Sequence, residues 1–244
     1  MLDRLSVIEP SQRSAARVAG LAYLVPLAFV LAANFGLRGH LIVTGDVAET
    51  VRRIAAAEPL SRLSVAFDLV YCIGVVVLLS ALYVVLGPVN RPVALLATFL
   101  KLVYAVTAML MPLTFLTIVH LASDTAYEQA LGAGPLHSLV KLNLSATWDQ
   151  YYVGLAFWAS SSTAIGWLWL KSRYIPAALA AFGLVSSAWC AGCTFAYLVH
   201  PTFSRAVNLW WFDMPMALFD ITLSFWLLFR GLRAPTALAA PGQP

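Results

Sequence analysis

The chain has 244 residues, of which 61% are hydrophobic and only 11% are charged, and its mean hydropathy is +0.83. Soluble domains average about 45–50% apolar and about 25% charged residues, so this composition excludes an ordinary water-soluble protein. The net charge is +4, but the basic residues stand at the ends of apolar segments rather than together in a patch. We therefore expect membrane lipid, and no nucleic acid, among its partners.

Six apolar segments stand out along the chain. Each is about 20 residues or longer, which is enough to cross a ~30 Å hydrocarbon layer as a helix. Strands with free edges are excluded in lipid because their backbone groups would stay unpaired. The sequence thus predicts an all-α, polytopic transmembrane bundle of about six spans. In chain order these are Ala16 to Leu37, Leu63 to Leu86, Pro92 to Leu121, Tyr151 to Leu170, Ile175 to Val199 and Phe212 to Phe229.

The predicted organisation is simple. Residues 1–15 form an N-terminal cytoplasmic segment, residues 16–233 form one six-span membrane domain, and the Ala/Pro-rich residues 234–244 form a disordered tail. The first apolar segment is longer than the 7–15 residues of a signal-peptide core, so we expect it to stay as an uncleaved span.

Basic residues predict the orientation. With a cytoplasmic N-terminus, the inner side has only Asp3 and Glu9 as acids, whereas Arg38 falls among the outer residues, which are rich in acids. This is the positive-inside pattern, and it predicts a multi-pass protein of the cell (plasma or inner) membrane with both termini cytoplasmic. The inner basic residues are Arg4, Arg13, Arg17, Arg91, Lys171, Arg173, Arg230 and Arg233.

Two outer connections carry signals for short amphipathic helices. Asp46 followed by Glu49 resembles a capping box, and Val47, Val51, Ile54 and Ala55 then share one face. In the second connection Thr125 and Glu128 repeat that spacing, and residues 136–144 are apolar enough to lie at the interface. Within the spans, Pro26 and Pro112 predict kinks.

Three ionisable residues lie inside predicted spans: Asp68, Lys101 and Asp220. A charge at the centre of a span costs about 2.5–3.5 kcal/mol, so such groups usually face the interior and pair with one another. We expect a buried cluster of the three that binds a ligand or ion, the alternative being a cluster that only fixes helix packing. Two carboxylates and one ammonium leave a negative charge, which favours a cation or proton partner.

Cysteine and histidine suggest two further sites. Cys190 and Cys193 are spaced i, i+3 on one face of the fifth span, as a membrane redox pair would be, although small cysteines also suit a helix contact. All four histidines fall on the outer side but in no compact ligand pattern. We therefore expect no metal and no cofactor, and we assign no catalytic residue.

Several stretches resemble the uncharacterised membrane family called domain of unknown function 4386, over about Ala16 to Gly231. The resemblance implies that Lys101 stands where the family carries Arg and Asp220 where it often carries Glu, exchanges that keep the sign of each charge. It implies architecture but no activity, and Cys-x-x-Cys is not among its features. The similar stretches are Arg17-Val18-Ala19-Gly20-Leu21-Ala22-Tyr23-Leu24, Gly45-Asp46, Asp68 followed by Ala81-Leu82-Tyr83, the segment from Gly166 to Pro176 with its Lys-Ser-x-x-Ile-Pro hinge, and Trp226 to Gly231.

Together these patterns predict a transporter-like bundle that binds a small molecule, lipid or ion without covalent chemistry. One alternative is an intramembrane enzyme that uses a buried carboxylate as acid or base, or the cysteines as a redox pair. The other is a structural or regulatory subunit that acts through a partner.

Overall fold

The computed structural model describes residues 8–200, 202–203 and 206–233, and within these ranges it contains helices but no β-strand. The predicted tail, residues 234–244, lies outside the described residues. The all-α prediction is confirmed. In chain order the helices are α1 (Pro10–Leu31), α2 (Val47–Ala56), α3 (Glu58–Leu86), α4 (Arg91–Ala108), α5 (Leu110–Ser123), α6 (Thr125–Leu131), α7 (Ala133–Ser172), α8 (Ala177–Val199), α9 (Leu209–Phe212) and α10 (Met214–Phe229).

Five helical stretches of the described chain are long and apolar enough to cross a membrane, judged by length and composition. The sixth predicted segment forms α10, whose 16 residues extend about 24 Å at 1.5 Å per residue. Large apolar side chains such as Phe229, 79% exposed, cover the outside of these helices, as lipid-facing surfaces require. The protein is therefore membrane-embedded. The five long stretches are Pro10–Leu41, Glu58–Leu86, Arg91–Ser123, Ala133–Ser172 and Ala177–Val199.

The first span is longer than its hydropathy indicated. Helix α1 begins at Pro10, and a π-helical segment, Ala32–Arg38, followed by one α-helical turn, Gly39–Leu41, continues it. Arg38 therefore belongs to a helix rather than to an outer loop, and its side chain is buried.

The fourth span is also longer, because α7 runs unbroken for 40 residues, or about 60 Å. It includes residues 136–144, which the sequence placed in a separate interfacial helix. Leu136 and Val140 are buried on one face of these first turns, so burial continues along the helix. Gly132, with a φ of 78°, separates α7 from α6.

The two prolines inside spans act differently. The third span is interrupted at Met109, between α4 and α5, three residues before Pro112. A proline removes one helical hydrogen bond and crowds the carbonyl four residues earlier, which explains a break at this place. Helix α1, in contrast, continues through Pro26. A Cβ atom on Gly74 would lie 2.0 Å from Cγ of Pro26, so only glycine leaves room for this ring.

The predicted residue caps α2, whereas α6 is capped by the residue before the predicted one. Asp46 Oδ1 accepts a hydrogen bond of 2.8 Å from the Glu49 backbone, which confirms the predicted cap. At α6 the N-cap is Asp124, whose Oδ1 accepts from the Ala126 backbone at 2.9 Å, and not Thr125.

The described residues group into two compact units. Unit 1 takes its residues from Met1–Leu24, Val77–Leu102 and Ala156–Pro244. Its large core includes Leu78, Leu168 and Trp169. Helices α8 and α10 pack very closely there, because a Cβ atom on Gly183 would lie 2.4 Å from the Phe219 ring.

Unit 2 takes its residues from Val25–Val76 and Val103–Leu155. Its smaller core includes Leu41, Ile54 and Phe115. Ile54 is fully buried and brings the apolar face of α2 against α5. Helix α2 thus belongs to the core of unit 2.

Candidate functional site

The buried face of α4 carries Lys101 into the interior of unit 1. Ala94, Ala97 and Lys101 follow the three- and four-residue spacing of one helix face, and all three are buried. The alanines let neighbouring helices approach closely, so these helices enclose the long lysine side chain. Lys101 is accordingly 0% exposed.

Two helices supply the contacts of the Lys101 ammonium. Nζ donates a hydrogen bond of 3.2 Å to Oγ of Ser162 on α7. It also lies 3.4 Å from the ring centroid of Trp158, one turn earlier on α7, and 6.0 Å from that of Tyr23 on α1. These are cation–π distances, and such contacts strengthen when the cation is desolvated. Two aromatic rings and the Ser162 hydroxyl therefore lie beside this buried cation.

Asp220 lies on the buried face of α10 and is 8% exposed. Its carboxylate interacts with the side chains of Tyr23 and Trp158, the same aromatic residues that lie beside Lys101, and it interacts electrostatically with Lys101 itself. Oδ1 of Asp220 is nevertheless buried without a hydrogen-bond partner in the described part of the chain.

The two opposite charges of unit 1 are thus neighbours but not a closed ion pair. Within the described ranges, the N–O contacts shorter than 4.0 Å do not include one between Lys101 and Asp220. Two aromatic side chains are common to both groups, and each charge keeps hydrogen-bonding capacity that the described protein atoms do not use.

A small cavity adjoins Lys101 in unit 1. It offers about 10 Å³ to a water-sized group, close to the least that holds one water molecule. Its walls are mostly apolar, and the lining residues with polar groups are Lys101, Tyr83 and Thr98, which lies one turn before Lys101 on α4. The apolar walls include Leu79, Leu82, Leu86, Ala97, Ile165 and Leu168.

Asp68, the third residue of the predicted cluster, is in unit 2 and forms an ion pair with Arg38. Nε of Arg38 also donates to Oγ of Ser64 at 3.1 Å, and the guanidinium lies 4.3 Å from the centroid of the Phe115 ring. Both charged side chains are 8% exposed. The structure gives Asp68 a partner that sequence reasoning missed. The sequence contained one signal for this partner, because Arg38 directly follows Leu37, the last residue of the predicted first span.

The cysteines proposed as a redox pair are both buried thiols in α8. Sγ of Cys190 lies 4.0 Å from the Thr194 hydroxyl, and that hydroxyl donates to the Cys190 carbonyl at 2.7 Å. Neither cysteine forms a disulfide. Within the described ranges no group of three or more His, Cys, Asp or Glu residues is arranged to hold a metal ion.

Comparison with known proteins identifies the family of this chain. No curated protein matches the chain, and no solved structure matches it. The model of one family, described as a domain of unknown function, matches residues 18–231, which is most of the chain and covers both units. This protein therefore belongs to the DUF4386 family.

Proposed function

We propose that this protein binds a small polar molecule or an ion non-covalently in unit 1, at Lys101 and Asp220, and that it works as a transporter-like protein. The observation that carries this proposal is the open arrangement of two buried, opposite charges. Lys101 has three N–H donors and gives one to Ser162, while Oδ1 of Asp220 accepts none from the described protein.

Burial makes this arrangement unfavourable without an additional partner. A buried charge is tolerated when it is paired and its hydrogen bonds are satisfied, and an unsatisfied buried group costs about 1–3 kcal/mol or more. A polar ligand, an ion or a proton that joins the two groups supplies what is missing. We therefore interpret the open hydrogen-bonding capacity as the ligand-binding part of the site.

The contrast with the Arg38–Asp68 pair of unit 2 supports this assignment. Its two charges are in direct contact, and Ser64 completes the pair with a further hydrogen bond. We therefore assign Asp68 to packing in unit 2, and we assign ligand binding to Lys101 and Asp220 only.

We further propose that the protein crosses the cell membrane six times with both termini cytoplasmic. Helix α10 is then the sixth span, and its ~24 Å length requires local thinning of the bilayer or flanking residues that reach the interface. A reporter that is active only in the cytoplasm is expected to be active when fused after residues 89, 173 and 233. A reporter that is active only after export is expected to be active when fused after residues 45 and 132. The reverse pattern would overturn this orientation.

Binding is tested on the purified full-length protein in detergent micelles. Native mass spectrometry looks for a co-purified molecule, and thermal unfolding is followed with sodium, potassium, methylammonium, acetate and phosphate. We expect at least one bound molecule or one stabilising probe with the wild type, and its loss or replacement in Asp220→Asn.

The matched control is Lys171→Met. Lys171 also stacks on a tryptophan, Trp167, at 4.8 Å, but in the last turn of α7. This variant is expected to behave as the wild type. If the wild type binds none of the probes and carries no molecule that Asp220→Asn lacks, the proposed function is wrong.

A further inference from the structure

The ammonium of Lys101 occupies a site of the kind that binds organic cations in other proteins. The rings of Tyr23 and Trp158 stand edge to face, with centroids 6.4 Å apart and planes at 84°, and form two walls. The Lys101 Nζ lies near both rings, and much closer to Trp158. Aromatic walls of this type recognise substituted ammonium ions through the negative faces of their rings.

The remaining groups around this aromatic box also favour a cation. Asp220 contributes a carboxylate that acts on both rings, and Ser162 contributes a hydroxyl that accepts a hydrogen bond from an ammonium. Asp213 adds a second negative charge that acts on Asp220. Without the lysine side chain, the box would carry a net negative charge and would attract any cation small enough to enter.

The cavity beside Lys101 offers a second position for its ammonium group. This cavity has room for about one water-sized group. A lysine stem has four flexible carbons and ends in a compact ammonium, which gives the head the rotational freedom to leave the Trp158 ring for this cavity. Thr98 lines the same cavity and provides a hydroxyl there.

We propose that Lys101 is a tethered competitor, and that the ligand of unit 1 is a small organic ammonium ion that replaces the lysine head between Tyr23, Trp158 and Asp220. This inference rests on the proposed function and specifies its ligand class. While the ligand is bound, the lysine head lies in the cavity; when the ligand leaves, it returns and restores the charge balance of the empty site.

The test measures equilibrium binding of radiolabelled methylammonium to the purified full-length protein, in detergent and at constant ionic strength. A tethered competitor makes an unusual prediction, because removal of a residue in the site strengthens binding. Lys101→Met is expected to raise methylammonium affinity by about tenfold or more, as a lost cation–π and charge contact of the competitor implies. Lys171→Met is the control and is expected to leave affinity unchanged.

Two further variants keep the test decisive if Lys101→Met does not fold. Ser162→Ala removes only the hydrogen bond that holds the lysine head, and it is expected to raise affinity about threefold to tenfold. Trp158→Leu removes the main aromatic wall and is expected to lower affinity about tenfold or more.

The outcomes separate this inference from the function on which it rests. If Lys101→Met and Ser162→Ala weaken binding, or if acetate binds to the wild type and depends on Lys101, the lysine is an anchor for an anion. Unit 1 then remains a binding site, but the tethered competitor is refuted. If methylammonium binds to no variant while another probe stabilises the wild type, the inference fails and the proposed function stands.

Discussion

Removal of one partner of the Arg38–Asp68 pair is expected to destabilise the protein strongly, because the other charge would stay buried in unit 2. Truncation of one member of a buried ion pair costs about 3–5 kcal/mol. Arg38→Met also loses the hydrogen bond to Ser64 and the contact with the Phe115 ring, so we expect about 4–5 kcal/mol. Asp68→Asn keeps an oxygen that accepts from the guanidinium, so we expect about 3 kcal/mol.

The assay is reversible unfolding of the purified protein in mixed micelles with increasing dodecyl sulfate, from which the free energy of unfolding is obtained. The double variant Arg38→Met/Asp68→Asn leaves no unpaired charge, so its loss should be smaller than the sum of the single losses by about 1–3 kcal/mol.

An exposed ion pair provides the matched control. Arg62 and Glu58 form an i, i+4 pair at 2.7 Å, and their side chains are 50% and 37% exposed. Arg62→Met should therefore cost at most about 1 kcal/mol. Strictly additive losses in the double variant, or an Arg62→Met loss as large as that of Arg38→Met, would refute the reasoning.

Three further predictions concern helix packing, a helix cap and the pKa of a surface carboxylate. Gly183→Ala places a Cβ 2.4 Å from a phenylalanine ring of α10 and should lower the free energy of unfolding by about 1–3 kcal/mol, whereas Gly192→Ala, with no atom within 4 Å, should raise it by about 0.5–1 kcal/mol in the same assay. Asp46→Ala removes the cap of α2 and should cost about 1 kcal/mol, with faster hydrogen exchange of the Glu49 amide; unchanged exchange would contradict the cap. The hydrogen bond from Arg53 lowers the pKa of Glu49. This carboxylate therefore stabilises the fold above its unfolded-state pKa and loses that contribution as pH falls through its folded pKa. Arg53→Gln should raise the Glu49 pKa in a carboxyl NMR titration, and an unchanged pKa would argue against the pair.

The sequence predicts the helices and the burial of the intramembrane charges because both follow from the low polarity of lipid. Backbone groups in a membrane must pair within the segment, so apolar stretches of sufficient length become helices. Lys101 and Asp220 each continue the three- and four-residue spacing of small or apolar residues on their helices. That spacing is enough to indicate that each of these side chains faces inward.

Which residue each buried charge pairs with could not be predicted in the same way, because the pairing depends on where helices end and how they pack. The hydropathy of the first span falls at Arg38, yet the helix continues, since the guanidinium finds an anion and a hydroxyl inside unit 2. Similarly, Lys141 and Asp149 interrupt the apolar pattern before the fourth span, so the sequence indicates a separate interfacial helix there. Leu136 and Val140 are buried on one face of the continuous helix α7, and this packing depends on tertiary contacts that the sequence pattern does not reveal.

The π-helical segment, residues 32–38, has a consequence for how chains of this family are aligned. A π-helical turn closes its hydrogen bond one residue later than an α-helical turn, so the segment behaves as a one-residue insertion in α1. Deletion of one residue there would let the helix regain ordinary hydrogen bonding, but would rotate every later residue by about 100°. A relative that lacks this wide turn and keeps the ion pair would carry the cation at another position in the helix. Alignments across this segment should therefore permit a one-residue gap, and the charge that pairs with Asp68 should be sought one position away.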